Sequence, residues 1–139
     1  MIPQQDRRKT TGFRPRAAGI ITFLSIANPA WFLVANGVLH LLRRDLNPAT
    51  HYISEYAVGR YGWLMASALV ILGIGTLSLA FCLARTTDTG LVARAGIIFL
   101  GISGVSTILT GLFRTDIAGH GPTLAGRIHG RAALVAILL

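Results

Sequence analysis

The sequence predicts an all-α membrane protein, a transmembrane helix bundle with three complete spans and the start of a fourth. Three observations carry that prediction. Of 139 residues, 53% are apolar and 13% charged, where soluble domains run near a quarter charged. The runs 17–42, 61–84 and 95–113 contain no Asp, Glu, Lys or Arg over 26, 24 and 19 residues. A helix crossing a bilayer needs about 20 apolar residues. The mean hydropathy of +0.61 agrees with lipid as the solvent.

The elements follow in chain order. Residues 1–16 form a basic tail with Arg7, Arg8, Lys9, Arg14 and Arg16, broken by Pro3 and Pro15; it is expected to be disordered. The first run, 17–42, is too long for the apolar core of a signal peptide, which is about 7–15 residues. It reads as a retained span within a domain covering 17–139. Asn28-Pro29 sits in its middle, where the ring of Pro29 frees the carbonyl of Ser25. Asn36 and His40, four apart, share a helical face.

The second span, 61–84, opens on Tyr61 and Trp63, which suit the aromatic belt at a membrane surface. Ala66, Gly73 and Ala80 repeat along it, and Ser103, Thr107 and Gly111 repeat along the third span, 95–113. Small residues at such spacing let helices approach closely in lipid. Ten large apolar side chains in the third span, at roughly −0.5 kcal/mol each, give about −5 kcal/mol towards insertion. A partial fourth span begins at 131. Eight helical residues reach only about 12 Å of a core near 30 Å, so the sequence reads as a fragment whose fourth helix continues.

Orientation follows from basic residues near the span ends. The tail with Arg85 and Arg94 holds seven; Arg43, Arg44, Arg60, Arg114, Arg127 and Arg131 make six on the other side. The first span dominates, so the N-terminus is placed in the cytoplasm of a multi-pass plasma-membrane protein. The formal charge of +8 lies beside apolar runs instead of forming a face, which excludes nucleic acid as a partner. Cys82 is the single cysteine, so an internal disulfide and a cysteine zinc cluster are both excluded.

LLRRDL (41–46) and LFRTDI (112–117) align at an offset of 71, and Gly59-Arg60 aligns with Gly130-Arg131 without a gap. The pattern is that of two parallel hairpins, a layout transporters use; chance placement of Arg at helix ends is the alternative.

His40, His51, His120 and His129 all fall on the expected outer side, with Asp45, Glu55 and Asp116. Ionisable groups gathered at one membrane face mark candidate sites. The candidate polar cluster is His51, Ser54, Glu55, Asp45, Asp116, His120 and His129. His51 and Glu55 share a face if their segment is helical, and would lie near Asp116 and His129 if the hairpins pack together. No metal is assigned; His51, Glu55 and His129 are the candidate ligands, without the spacing of a zinc signature. Haem between His40 and His129 has no further support, and no cofactor is predicted. In 120–130, Gly121-Pro122 reads as a turn leading into a short helix on which Gly126 permits close packing, with the first loop as the expected partner.

The run D-x-N-P-A-T-H-Y-I-S-E-Y-A-V-G-R-Y-G-W-L-M, with F-R-T-D…P-T-x-x-G-R-I-H at 113–129, resembles the domain-of-unknown-function 998 family of integral membrane proteins. The likeness covers about residues 18–139 and rests on Asp45, Pro48, His51, Ser54, Glu55, Tyr56, Gly62, Asp116, Thr123, Gly126 and His129. It implies a multi-span bundle in a prokaryotic plasma membrane and brings no activity with it. Three functions follow. The first is a non-enzymatic protein that binds or transports a small or lipid-like ligand at the outer polar cluster. The second is a metal-dependent hydrolase or transferase acting on lipid, with Glu55 or Asp116 as base. The third is a subunit of a homo-oligomer or of a larger membrane assembly.

Overall fold

The computed structural model describes residues 15–86, 90–117 and 121–139. Its helices are α1 (Pro15–Leu42), α2 (Gly62–Thr86), α3 (Leu91–Leu112) and α4 (Leu124–Leu138), with a 3-10 turn at Ile53–Ala57. The described residues form an all-α bundle in which α2 packs on α1 and α3, and α3 packs on α4. Three helices are long and apolar enough to cross a membrane: Thr22–Leu42 within α1, α2 and α3. Only 17–22% of their most apolar windows is buried in the protein. The rest presents side chains such as Phe23, Leu33, Trp63, Ile98 and Val105 outwards, and lipid is the solvent that suits them.

The expected boundaries shift in three places. Pro15 and Arg16, assigned to the tail, begin α1; residues 1–14 lie outside the described residues. α3 begins at Leu91, taking Arg94 into its first turn. α4 begins at Leu124, seven residues before the expected start at 131, because its cap lies in the second loop. The short helix read there and the final apolar run are one helix.

Small residues set the helix spacing. A Cβ on Gly73 would stand 2.7 Å from the Gly104 carbonyl, and one on Gly104 3.1 Å from that of Gly73. α2 and α3 therefore meet backbone to backbone at mid-span, which only small residues permit. Near their ends, a Cβ on Gly111 would stand 2.8 Å from the Ala66 carbonyl. Ser103 instead faces α4, where its hydroxyl donates to the Ala136 carbonyl at 3.2 Å. α1 runs unbroken through Pro29, and the buried Asn28 amide fills the space that a side chain on Gly75 of α2 would need.

The largest buried cluster sits at one end of the bundle, formed by Ala35 and Leu39 of α1, Tyr56 and Ala57 of the 3-10 turn, and Leu64, Met65 and Ala68 of α2. This end, which carries the loops 43–61 and 113–123, is called distal below.

Gly75→Ala is expected to push Asn28 off α2 and lower stability by about 1–3 kcal/mol, the usual range for overpacking. Denaturation in detergent measures it, and an Asn28→Ala background should recover part of the loss.

Candidate functional site

The first distal loop starts where α1 runs out of backbone partners. Arg43 follows the last helical residue. Its Nη1 donates to the Val58 carbonyl at 2.6 Å, across the whole loop. Its Nε and Nη2 form a fork on Asp45, at 2.9 and 2.8 Å. A planar guanidinium makes such a two-point contact, and a lysine would not. The fork holds the Asp45 carboxyl below its ordinary value of 3.8, through the Arg43 hydrogen bond first, and raises the Arg43 guanidinium in turn. Gly59 lies beside the clamp with φ +92°, and a Cβ there would stand 3.2 Å from Arg43 Nη1. Both facts call for glycine.

Inside the clamp the loop folds on itself. Asn47 Oδ1 accepts from the Ala49 amide at 2.9 Å, and the Asn47 carbonyl accepts from the amides of Thr50 and His51. Such an Asx turn is what Asn-Pro favours. Glu55 Oε1 accepts from the Tyr52 amide at 3.4 Å, closing the start of the 3-10 turn. Tyr56, buried to 1% exposure, donates to the Leu46 carbonyl at 3.3 Å and stacks on His40 with centroids 5.0 Å apart. Gly62 then starts α2 against the Ala57 carbonyl, with no room for a Cβ.

The second loop is solved differently. Thr123 is the N-cap of α4, its Oγ1 accepting from the Gly126 amide at 3.0 Å. Asp116 accepts from the Thr123 amide at 3.1 Å and from its hydroxyl at 2.6 Å. The Asp116 carboxylate also occupies the space a side chain on Gly126 would fill. Gly126 thus packs on its own loop, not on the first loop as expected. An anion at a helix N-terminus is favourable in its own right. Further along α4, His129 is 3% exposed. Its Nδ1 lies 2.9 Å from the Thr110 carbonyl and 2.8 Å from that of Phe113. Two carbonyls can only accept, so Nδ1 carries the proton and satisfies the last carbonyls of α3. His129 Nε2 and Asn36 Oδ1 are buried atoms without a protein partner among the described residues.

The expected cluster therefore separates. His51 and Glu55 do come together, with Nε2 and Oε2 4.0 Å apart. Asp45 serves Arg43, Asp116 serves Thr123, and His129 serves the end of α3. His120 lies outside the described residues. Among those described, no three His, Cys, Asp or Glu side chains gather as metal ligands would. What sequence reasoning missed is the role of Arg43, counted only among the basic residues at the span ends; its Asp two residues on was the available signal. Tyr56 was quoted in the motif without a role.

The family model described as "Protein of unknown function (DUF998)" matches residues 26–139. The chain belongs to this family. The match takes in α1 from its middle, both distal loops and α4, so the features above lie inside the DUF998 region. No curated protein and no solved structure matches the chain.

Beside His51 and Ser54 lies a cleft of about 550 Å³. Phe32 of α1 stands on one side, with Ala133, Ala136 and Ile137 of α4 on the other; Leu69, Leu72, Thr107 and Thr110 come from α2 and α3. His51, Tyr52, Ile53 and Ser54 line its loop edge. Apart from Thr107 and Thr110 the helices line it with apolar side chains, and His51, Tyr52 and Ser54 bring polar atoms to the loop edge.

Four outcomes test this geometry. Arg43→Gln should release the Val58 carbonyl and weaken the loop by about 1.5–3 kcal/mol, the range for a hydrogen bond to a charged group. The depressed Asp45 carboxyl contributes fully above 3.8 and loses its contribution as pH falls through its lowered folded value. Hydrogen exchange across 43–60 should therefore quicken only on acidification below that point, and Asp45→Asn should quicken it above that point and make no difference below it. Separately, Thr123→Ala should lower stability by about 1 kcal/mol through the lost cap, with the faster exchange confined to the first turn of α4.

Proposed function

We propose that this DUF998 protein is a plasma-membrane protein without catalytic activity. It holds a small amphipathic or lipid-like ligand in the cleft beside His51 and Ser54. The observation that carries the reading is the cleft itself, about 550 Å³, within the size of ligand pockets. Aliphatic and aromatic side chains from α1, α2 and α4 suit an acyl or isoprenoid body. His51 and Ser54 suit a hydroxyl or carboxyl head. The cleft lies between helices, where bundles place their ligands. The basic residues around α1 support a cytoplasmic N-terminus, which sets the distal end and the cleft's polar edge outside the cell.

The polar groups argue against the hydrolase reading. Such chemistry needs a base or metal held open towards a substrate. Here Asp116 and His129 are engaged in closing helix ends, and Glu55 holds the Tyr52 amide.

The test uses the full chain in detergent with a panel of long-chain alcohols, fatty acids, monoacylglycerols and isoprenols. A ligand at a hundredfold its Kd should add about 2.7 kcal/mol of stability. Leu72→Trp, which fills the cleft from α2, should abolish that gain while the protein still inserts. If no amphiphile stabilises the wild type, or if Leu72→Trp responds as the wild type does, the ligand reading fails. A change of oligomeric state in Leu72→Trp would assign the cleft to a helix of another subunit.

A further inference from the structure

The two aligned hairpins use their acids differently, and the difference leaves one arginine over. In the first hairpin Arg43 and Asp45 pair with each other. In the second, the aligned residues are Arg114 and Asp116. Asp116 is turned away to the amide and hydroxyl of Thr123. Arg114 makes no ion pair or hydrogen bond among the described residues, and it is exposed. No described residue neutralises its charge.

Arg114 lines a groove of about 420 Å³ between the distal ends of α2 and α3. The groove shares no lining residue with the cleft beside His51. At its mouth stand Arg114 and Trp63, the latter 68% exposed at the second position of α2. Gly62, Ala66, Ser67 and Gly111 also line it, and Val70 marks its inner part. From Gly62 to Val70 the helix rises about 12 Å, so the groove descends from the membrane boundary into the apolar layer. A cation and an indole at the mouth, with an apolar channel below, match the order of groups along a phospholipid. No acid lines the groove among the described residues, Asp45 is forked on Arg43, and Asp116 is engaged by the α4 cap.

We propose that this groove binds an anionic glycerophospholipid, its phosphate on Arg114 and the first methylenes of an acyl chain against Ala66 and Val70. A guanidinium takes a phosphate at two points. A zwitterionic lipid offers the same phosphate but brings its own cation to compete with Arg114. The lipid would close the second hairpin from outside, as Asp45 closes the first from within.

Trp63 supplies the readout. The only other tryptophan, Trp31, is replaced by Phe, and the full chain is placed in vesicles with brominated acyl chains. Brominated phosphatidylglycerol should occupy the site about fivefold more readily than brominated phosphatidylcholine, the factor one basic residue contributes at an anionic surface. Arg114→Gln should bring the two lipids level. Arg60→Gln, at the same end but stacked over Tyr61 and outside the groove, should leave the preference in place. Equal quenching by the two lipids in the Trp31→Phe protein overturns the proposal, whatever the fate of the arginine variants. So does an equal loss of preference in Arg60→Gln, which would mean a diffuse charge effect. Relief of the quenching by millimolar inorganic phosphate also overturns it, because the site would then hold a free anion.

Discussion

Helix ends near a membrane must not leave backbone carbonyls and amides unpaired, and that constraint governs the whole distal end of this protein. A helix leaves its first amides and last carbonyls without internal partners. Where water is scarce each orphan costs several kcal/mol. Here α3 has its last carbonyls answered by His129, and α4 has its cap from Thr123 braced by Asp116. The 3-10 turn has its first amide answered by Glu55, and Arg43 reaches across the first loop to the Val58 carbonyl. The core of Leu39, Tyr56, Met65 and Ala68 lies beside the first loop, where Arg43, Glu55 and Tyr56 answer backbone groups.

The same constraint changes what the concentration of polar residues at one end means. A cluster of His, Asp and Glu at a membrane face reads naturally as a site for chemistry. In this structure most of its members are occupied with the chain's own backbone, one side chain to one helix end or turn. What stays available is smaller: the His51–Ser54 edge of a cleft, and an arginine in a groove between α2 and α3.

The two hairpins show how one sequence pattern yields two structures. At the offset of 71, the 3-10 turn at Ile53–Ala57 aligns with residues 124–128, the opening of α4. In the first hairpin the chain breaks after that turn at Gly59, with its positive φ, and starts α2 afresh at Gly62. In the second, the helix runs straight on through Gly130, the residue aligned with Gly59. Thr123 and Asp116 start a full helix there, whereas Tyr52 and Glu55 start only one turn.

The sequence by itself determined the class of the protein, the three spans and the end of the bundle where polar residues gather. Hydropathy allows this because insertion energy adds residue by residue along the chain, whatever the chain folds against. The early start of α4 was half legible in Thr123 and Gly126, but its continuity with the final apolar run was not. Only the tertiary structure decided which polar group serves which. Asp45 and Asp116 occupy aligned positions, yet one forks with an arginine and the other braces a cap. The choice depends on distances of about 3 Å between groups only two residues apart in the first hairpin and seven in the second, and hydrogen bonds fall off too steeply with distance and angle for spacing alone to select the partner.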